Sequence, residues 1–321
     1  MASREASRPR GADVGSVVIS LDAELAWGFH DLQEPPATRI ERARGSWLDL
    51  LGLFEEFEIP ATWAIVGHLF LEECDGRHED LTTPEGWFSS DPGGRTDEGN
   101  VWFAPDLVRA VRDADVDHEI ASHTFSHVEF GSEATTKPMA VSELRESTRL
   151  ANVWDLELRS LVFPRNAVGH REVLSEFGFR SYRGVAPDRW YDGTGGEPIG
   201  KALSMTLGRT PPPLVTPTVD RFGLVNIPAS LFLFSFEGLP KRVATAFGGD
   251  PVVRAAKRGI DAAAASEETF HLWLHPNNLT APEDLERIRS VLEHLATVES
   301  NTGLDVETMD RIATETLSAR E

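Results

Sequence analysis

The feature that most constrains the fold of this chain is a repeated alternation of short apolar runs with segments of helical periodicity. Runs that predict buried strands lie at residues 14–21, 59–67, 119–122, 158–163, 179–183, 224–227 and 269–275. Amphipathic patterns predict helices at residues 40–57, 105–113, 139–154, 170–177, 251–266, 283–295 and 306–317. Because a strand, a helix and a second strand in this order form a parallel pair, the pattern predicts an α/β fold. It is either a barrel or an open parallel sheet.

The array of strands and helices begins after a polar terminal segment. Residues 1–13 are predicted to be a flexible tail, and residues 14–321 a single domain. Residues 68–103 are rich in Gly, Asp, Glu and Pro, which predicts a long insertion. Such an insertion either covers the site of an α/β scaffold or forms a surface loop packed on its own aromatic residues.

Composition restricts the possible partners and the location of the protein. With 52 acidic and 31 basic residues, the formal net charge is -21, which argues against nucleic acid as a partner. Acidic charge spread over the whole chain predicts adaptation to high salt. A single cysteine, Cys74, excludes an internal disulfide, and it is given no role. The polar N-terminal segment has no apolar core of a signal peptide and no run reaches membrane-spanning length, so we expect a cytoplasmic protein.

Two histidines four residues apart follow the third predicted strand. In the sequence His123-Thr-Phe-Ser-His127, one helical turn or a tight loop would place both imidazoles on the same side. Two imidazole nitrogens in that arrangement can bind one zinc ion. Because an open zinc centre usually takes three protein ligands, a third ligand must come from another part of the chain.

Carboxylates follow the first predicted strand. In Asp22-Ala-Glu24 the alternation of a strand would direct Asp22 and Glu24 to one side and Ala23 to the other. Active sites of parallel α/β folds collect side chains from the carboxyl ends of their strands. The pair is therefore a candidate source of a metal ligand and a general base.

Four strand-end segments together resemble the polysaccharide deacetylase family. They are residues 22–24, 123–127, 163–166 (Phe-Pro-Arg-Asn) and 272–275 (Leu-Trp-Leu-His). The resemblance extends over about residues 14–280; the histidine pair carries most of it and the third segment the least. It implies a distorted (β/α)7 barrel, of about seven β-α units, and a divalent metal ion such as zinc. It also implies hydrolysis of an N-acyl amide on an amino sugar.

The resemblance also implies roles for individual residues. His123, His127 and one carboxylate would hold the metal ion, which would polarise the acyl group and activate water. Asp22 would be the general base and His275 the general acid. Arg165 occupies the position of the family arginine that orients the base through a charge-assisted bond, or else forms a structural salt bridge.

The sequence departs from the commonest family pattern at Ala23, where most members have the metal-binding aspartate. In members with Asp-x-Asp or Asp-x-Glu the base keeps its position, and on that pattern Glu24 becomes the third ligand. The alternative is that Asp22 itself binds the metal, which leaves the site without a base.

Several aromatic residues are candidates for binding the substrate. Trp27, His30, Trp102 and Trp273 could stack on a sugar, or could pack in the interior. Two other functions stay open at this stage. One is hydrolysis of a small non-sugar amide or a cyclic imide, and the other is a catalytically silent barrel that binds a metal ion or a carbohydrate.

Overall fold

The first predicted strand is an interior strand of the sheet, with a neighbour on each side. The computed structural model describes residues 14–96, 99–187, 211–235 and 249–320; the predicted tail at residues 1–13 lies outside them. Strand β1 (Ser16–Ala23) is buried along its entire length. Its β-branched and apolar residues favour an extended strand covered on both faces, as in parallel sheets. It pairs with strands on both sides.

The six other predicted strands are present in the predicted order, and the described residues contain five further short strands, two of which form a hairpin between the second and third predicted strands. They are β2 (Thr62–Ile65), β3 (Glu73–Cys74), β4 (Gly94–Arg95), β5 (Glu119–Ser122), β6 (Ser160–Val162), β7 (Ser181–Gly184), β8 (Thr218–Val219), β9 (Val225–Pro228), β10 (Leu231–Phe232), β11 (Thr269–Leu274) and β12 (Asp305–Glu307). β3 and β4 form a separate antiparallel pair.

Parallel strands form the wall of a curled sheet, in the order β11-β1-β2-β5-β6-β7-β9. The chain then passes from β9, at one end of this order, directly into β10, which pairs with β11 at the other end. Ser230 N donates to the His271 carbonyl at 2.8 Å, and His271 Nδ1 donates to the Ile227 carbonyl at 3.2 Å. These bonds link the two ends. The α/β fold and the distorted barrel predicted from the sequence are therefore confirmed.

Helices cover the outside of the sheet. They are α1 (Ala37–Glu56), α2 (Pro105–Arg112), α3 (Lys137–Val153), α4 (Pro251–Ala264), α5 (Pro282–Thr302) and α6 (Met309–Ser318). The predicted helix at residues 170–177 is a 3-10 helix, Arg171–Phe177, and the predicted helix at 306–317 begins only at Met309, after β12. None of the helices described combines the length and the apolar character needed to cross a membrane.

The barrel interior is apolar at one end and polar at the other. Along β1 the inward-facing side chains change from Val18 to Ser20 to Asp22, since alternate residues of a strand share a face. Val18 packs with Met309 and Ile312 of α6, which closes the amino-terminal end of the strands. The polar groups that could do chemistry therefore collect at the opposite, carboxyl end.

Candidate metal centre

Three side chains from two strand ends converge at the carboxyl end of the barrel. His127 Nε2 lies 3.1 Å and His123 Nε2 lies 3.5 Å from the same oxygen of Glu24, Oε2. One donor atom from each residue falls within 4.8 Å of the others. All three residues are buried, with exposed fractions of 5% or less. Two imidazoles and a carboxylate are a known ligand set of catalytic zinc centres.

The histidine pair lies on a tight loop after β5, one of the two arrangements that the sequence predicted. Thr124 and His127 adopt left-handed backbone conformations, with φ of 61° and 67°. Such conformations are costly for residues other than glycine and persist only when surrounding contacts hold them. Here Gly67 N donates to the Thr124 carbonyl and Ser126 N donates to Glu143 Oε2, at 2.8 and 2.7 Å. The loop is thus fixed from two sides.

Hydrogen bonds and burial prepare the imidazoles for a cation. His123 Nδ1 donates to the Val162 carbonyl at 2.8 Å, so that its Nε2 lone pair points toward Glu24. That buried Nε2 atom has no hydrogen-bond partner among the described residues. Burial lowers the pKa of His127, which favours the neutral imidazole that binds metals. An orphaned buried nitrogen, a second imidazole and a carboxylate together fit a divalent ion.

Glu24 supplies the carboxylate from just beyond the strand. Ala23, the last residue of β1, is fully buried in the apolar core, and Glu24 precedes the 3-10 helix Leu25–Phe29. Burial alone would raise the pKa of Glu24, but His275, His123 and His127 outweigh it and hold the pKa well below its usual value. Gly28 leaves the space that the side chain uses, because a Cβ there would lie 2.2 Å from Glu24 Oε1.

Asp22 is held by a buried arginine on the opposite wall of the barrel. Arg183 Nη1 and Nη2 donate to Asp22 Oδ1 and Oδ2 at 2.6 and 2.7 Å, a bidentate pair between residues 0% and 2% exposed. Burial would raise the pKa of Asp22, but Arg183, His275 and His123 together lower it below its ordinary value. The carboxylate is therefore ionised at neutral pH.

A polar network beneath Asp22 fixes the arginine. His271 Nδ1 donates to a carbonyl, so its Nε2 accepts from the Ser20 hydroxyl at 2.9 Å, and the Ser20 oxygen accepts from Arg183 at 3.1 Å. Burial lowers the pKa of His271 to about 3, which keeps it neutral in this role. Asn166 Oδ1 accepts from Arg183 at 3.0 Å, and the Trp273 ring lies 4.4 Å from the guanidinium carbon.

Arg165, predicted to orient the base, lies elsewhere. Its guanidinium pairs with Asp31 and Glu129 at 2.6 and 2.7 Å, and its side chain is 38% exposed. Its φ of 52° is left-handed, as is that of the next residue, Asn166. This turn brings the Asn166 amide, rather than the arginine, to Arg183. Of the two roles left open for Arg165 the structure has the salt bridge, and the contact with Asp22 is corrected to one from Arg183.

His275 borders the same carboxylates. Its Nε2 lies 3.6 Å from Asp22 Oδ2 and 3.9 Å from Glu24 Oε1, and its side chain is 21% exposed. Its Nδ1 donates to Asn278 Oδ1 at 3.1 Å, which directs Nε2 toward the carboxylates. His275 is therefore placed where it can exchange a proton with a bound molecule.

The four residues predicted to bind substrate have different environments. Trp27 is fully buried, and His30 is 6% exposed with Nδ1 donating to the Trp27 carbonyl at 2.7 Å. A sugar cannot stack on the enclosed Trp27 ring, so of the two roles that the sequence left open for it the structure has the packing role. Trp102 is half-buried and lies edge-on to Trp27. Trp273 is half-buried beside His275, with Phe232 stacked on it at 4.3 Å.

The sequence contained a signal for the arginine that was missed. Arg183 ends the run predicted as a strand at residues 179–183, and a cation at the carboxyl end of a buried strand is a candidate site residue for the same reason as Asp22. No sequence pattern marks Asn278 or Glu143 as site residues, because only the folded chain brings their side chains to His275 and Ser126.

Comparison with known proteins supports the fold. No family model matches the sequence, and no curated protein matches it. Among solved structures, a Mycobacterium smegmatis protein described as a polysaccharide deacetylase is 16% identical, with a TM-score of 0.60 over 98% of this chain and 94% of that one. Puue allantoinase is 16% identical, with a TM-score of 0.56 over 96% and 93% of the two chains.

A third solved structure has the same fold. A protein of Pseudomonas aeruginosa PAO1, described as a probable polysaccharide deacetylase, is 15% identical, with a TM-score of 0.53 over 95% of this chain and 90% of that one. The chain therefore has the fold of the polysaccharide deacetylases, as its four strand-end segments predicted.

Proposed function

We propose that this protein is a metal-dependent hydrolase that removes an acetyl group from the nitrogen of an amino sugar. The observation that carries the proposal is the meeting of two groups at one end of the barrel. Glu24, His123 and His127 form one, and Asp22 with His275 forms the other. A ligand set, a base and an acid within one small volume are the parts that amide hydrolysis requires.

The ligand set is assigned to Glu24, His123 and His127. A divalent ion there, zinc by its donor set, would supply Lewis-acid activation of the acyl oxygen and of water. Glu24 is preferred over Asp22 as the third ligand because Glu24 Oε2 faces both Nε2 atoms, whereas both oxygens of Asp22 accept from Arg183.

Asp22 is assigned as the general base. Arg183 keeps it ionised and fixes its orientation, so that it can accept a proton from the water that adds to the acyl carbon. His275 is assigned as the general acid, since its Nε2 faces the site while Asn278 holds the other ring nitrogen. It would donate a proton to the departing nitrogen, so that water and amide give a carboxylic acid and an amine.

Variants of the two carboxylates test this assignment. Asp22→Asn should keep the bound metal ion and lose acetate release from N-acetylglucosamine oligomers, whereas Glu24→Ala should lose both. Arg165→Met serves as a matched control, because that arginine pairs with surface carboxylates instead. Loss of metal in Asp22→Asn but not in Glu24→Ala would overturn the assignment.

A second function is hydrolysis of a cyclic amide. It is favoured by the similarity of the fold to Puue allantoinase, whose TM-score of 0.56 is close to that of the first deacetylase. The same base, acid and ligand set would open a ring rather than release acetate. Ring opening of a cyclic imide or of allantoin, without acetate release from acetylated sugars, would select this function over the first.

A further inference from the structure

A second group of metal-binding side chains lies between β2 and α2, outside the candidate metal centre. His68 comes from the 3-10 helix Gly67–Phe70, Cys74 from β3, His78 from the following loop, and Asp91 from the segment before β4. One donor atom from each of the four lies within 4.8 Å of the others. Imidazole, thiol and carboxylate are the donor types that zinc takes in proteins.

Four of the distances among these atoms lie within a few tenths of an ångström of those in tetrahedral coordination. His68 Nε2 and His78 Nε2 are 3.2 Å apart, and they lie 3.2 and 2.9 Å from Asp91 Oδ2. Cys74 Sγ is 3.4 Å from the same oxygen. Zinc–ligand bonds of 2.0–2.3 Å at tetrahedral angles would separate neighbouring donor atoms by about 3.3–3.6 Å. Small movements would bring all four donors to one ion.

Hydrogen bonds to the atoms of His68 and Asp91 that face away from the group orient their other donor atoms toward a common centre. His68 Nδ1 donates to the Trp102 carbonyl at 3.0 Å, which leaves its Nε2 lone pair directed at the other three residues. Asp91 Oδ1 accepts from Gly93 N at 2.9 Å, so its other oxygen, Oδ2, faces the centre. A histidine held through its far nitrogen and a carboxylate held through its far oxygen are typical surroundings of metal ligands.

Aromatic side chains pack around the two histidines of the group, and Cys74 is half-buried. The side chains of His68 and Asp91 are fully buried, and that of His78 is 10% exposed. Trp27 lies 4.4 Å from the His68 ring, Phe88 lies 4.4 Å from the His78 ring, and Phe125 lies 5.6 Å from both. Four donors in an enclosed site leave no position for water or substrate, as in structural zinc sites.

We propose that His68, Cys74, His78 and Asp91 form a closed, structural zinc site, separate from the candidate metal centre. The segment formed by residues 67–95 contains only one 3-10 helix and two short strands as regular structure. A site of this kind explains how this segment keeps a defined conformation. The ion would cross-link the 3-10 helix, the β3–β4 pair and the loop between them, and its binding would add directly to the stability of the segment. The proposal does not depend on the chemistry proposed for the other centre.

This zinc site would also support the histidine loop of the candidate metal centre. His68 N donates to the Phe125 carbonyl at 2.8 Å. From the same segment, Trp87 Nε1 donates to the Ser126 carbonyl at 3.0 Å, and Ser126 precedes His127. Ordering of the segment by zinc would therefore help to hold His127 in its left-handed conformation.

Cobalt substitution tests the proposal without any variant. The chain has one cysteine, so a thiolate-to-cobalt charge-transfer absorption in the cobalt-loaded full-length protein can come only from Cys74. We expect this absorption in the wild type, at least one zinc ion per chain by elemental analysis, and slow reaction of Cys74 with a thiol reagent until a chelator is added. Absence of the absorption, with a thiol equally reactive with and without metal, would overturn the proposal.

Variants then separate the two centres. Cys74→Ala should lose the cobalt–thiolate absorption and one zinc equivalent, whereas Glu24→Gln should keep the absorption, whatever its effect on turnover. Glu79→Gln, an exposed carboxylate beside His78, is the matched control and should behave as the wild type. A zinc content that Cys74→Ala leaves unchanged would show that the four residues form only a hydrogen-bonded cluster and would refute the site.

Discussion

Replacement of Arg183 by methionine tests whether this arginine, rather than Arg165, holds the proposed base. The change keeps most of the apolar stem but leaves the Asp22 carboxylate, 2% exposed, without its bidentate partner. Removing one partner of a buried ion pair costs about 3–5 kcal/mol, because the remaining charge stays desolvated. Arg165→Met removes an arginine whose side chain is 38% exposed, and should cost less than about 1 kcal/mol.

The pair contribution can be isolated by a double-mutant cycle. The cycle Arg183→Met with Asp22→Asn should give a coupling of about 2–3 kcal/mol in the free energy of unfolding from urea titrations. The parallel cycle Arg165→Met with Asp31→Asn measures an ion pair of similar length, 2.6 Å, at the surface, and should give less than about 1 kcal/mol. Equal couplings in the two cycles would refute the reasoning.

The pH dependence of turnover gives a second measurement. The pKa of Asp22 in the folded protein lies below its ordinary value. The ion pair of Asp22 with Arg183 therefore stabilises the fold at pH values above the pKa of Asp22 in the unfolded chain. This stabilisation is lost as the pH falls through the pKa in the folded protein. Without Arg183, only His275 and His123 oppose the effect of burial, so the pKa of Asp22 rises. The acid limb of kcat/KM should then move to higher pH in Arg183→Met and stay in place in Arg165→Met. A shift in the second variant alone would restore the sequence-based assignment.

Four further predictions concern other parts of the molecule. Dialysed Glu24→Gln should contain at least about tenfold less metal in the candidate metal centre than Asp22→Asn, by elemental analysis of proteins that also carry Cys74→Ala. Glu119, whose pKa burial raises to about 7 from 4.5, binds more protons when folded than when unfolded. Stability should therefore fall by up to about 3 kcal/mol as pH rises from 4.5 to 7, and a Glu119→Gln variant should lack this decrease in urea titrations. Trp273→Ala, which removes a contact with Arg183, should lower kcat more than it raises KM; a change in KM alone would instead indicate sugar stacking. With a net charge of -21, the melting temperature should rise between dilute and molar salt, and a flat or falling value would contradict salt adaptation.

The sequence predicted those features that depend on local pattern. The apolar run before Asp22 predicted a buried strand, and the structure has one at Ser16–Ala23. The spacing of His123 and His127 predicted imidazoles on one side, and their Nε2 atoms both face Glu24. Both inferences need only the periodicity of a strand or the reach of a short loop, which a few neighbouring residues determine.

Features that depend on how distant strands face each other were not predicted. Arg183 and Asp22 are 161 positions apart and meet only because the sheet curls β7 toward β1. Arg165 follows a strand end as the resemblance requires, but a left-handed turn directs it to Asp31 and Glu129. For Trp27 the sequence left sugar stacking and interior packing open, and the 3-10 helix Leu25–Phe29 places its ring in the interior.

Alanine at position 23 shows how local pattern and packing combine to position the proposed ligand Glu24. Alanine occupies the last position of β1 and packs in the core, so the carboxylate of the proposed ligand set comes from the next residue, where the chain has already left the strand. A side chain there reaches the histidines only if it is long enough and has room. Glu24 provides the length, and Gly28, where a Cβ would lie 2.2 Å from Glu24 Oε1, provides the room. A Gly28→Ala change would therefore displace the Glu24 carboxylate, and we expect it to weaken metal binding at the candidate metal centre.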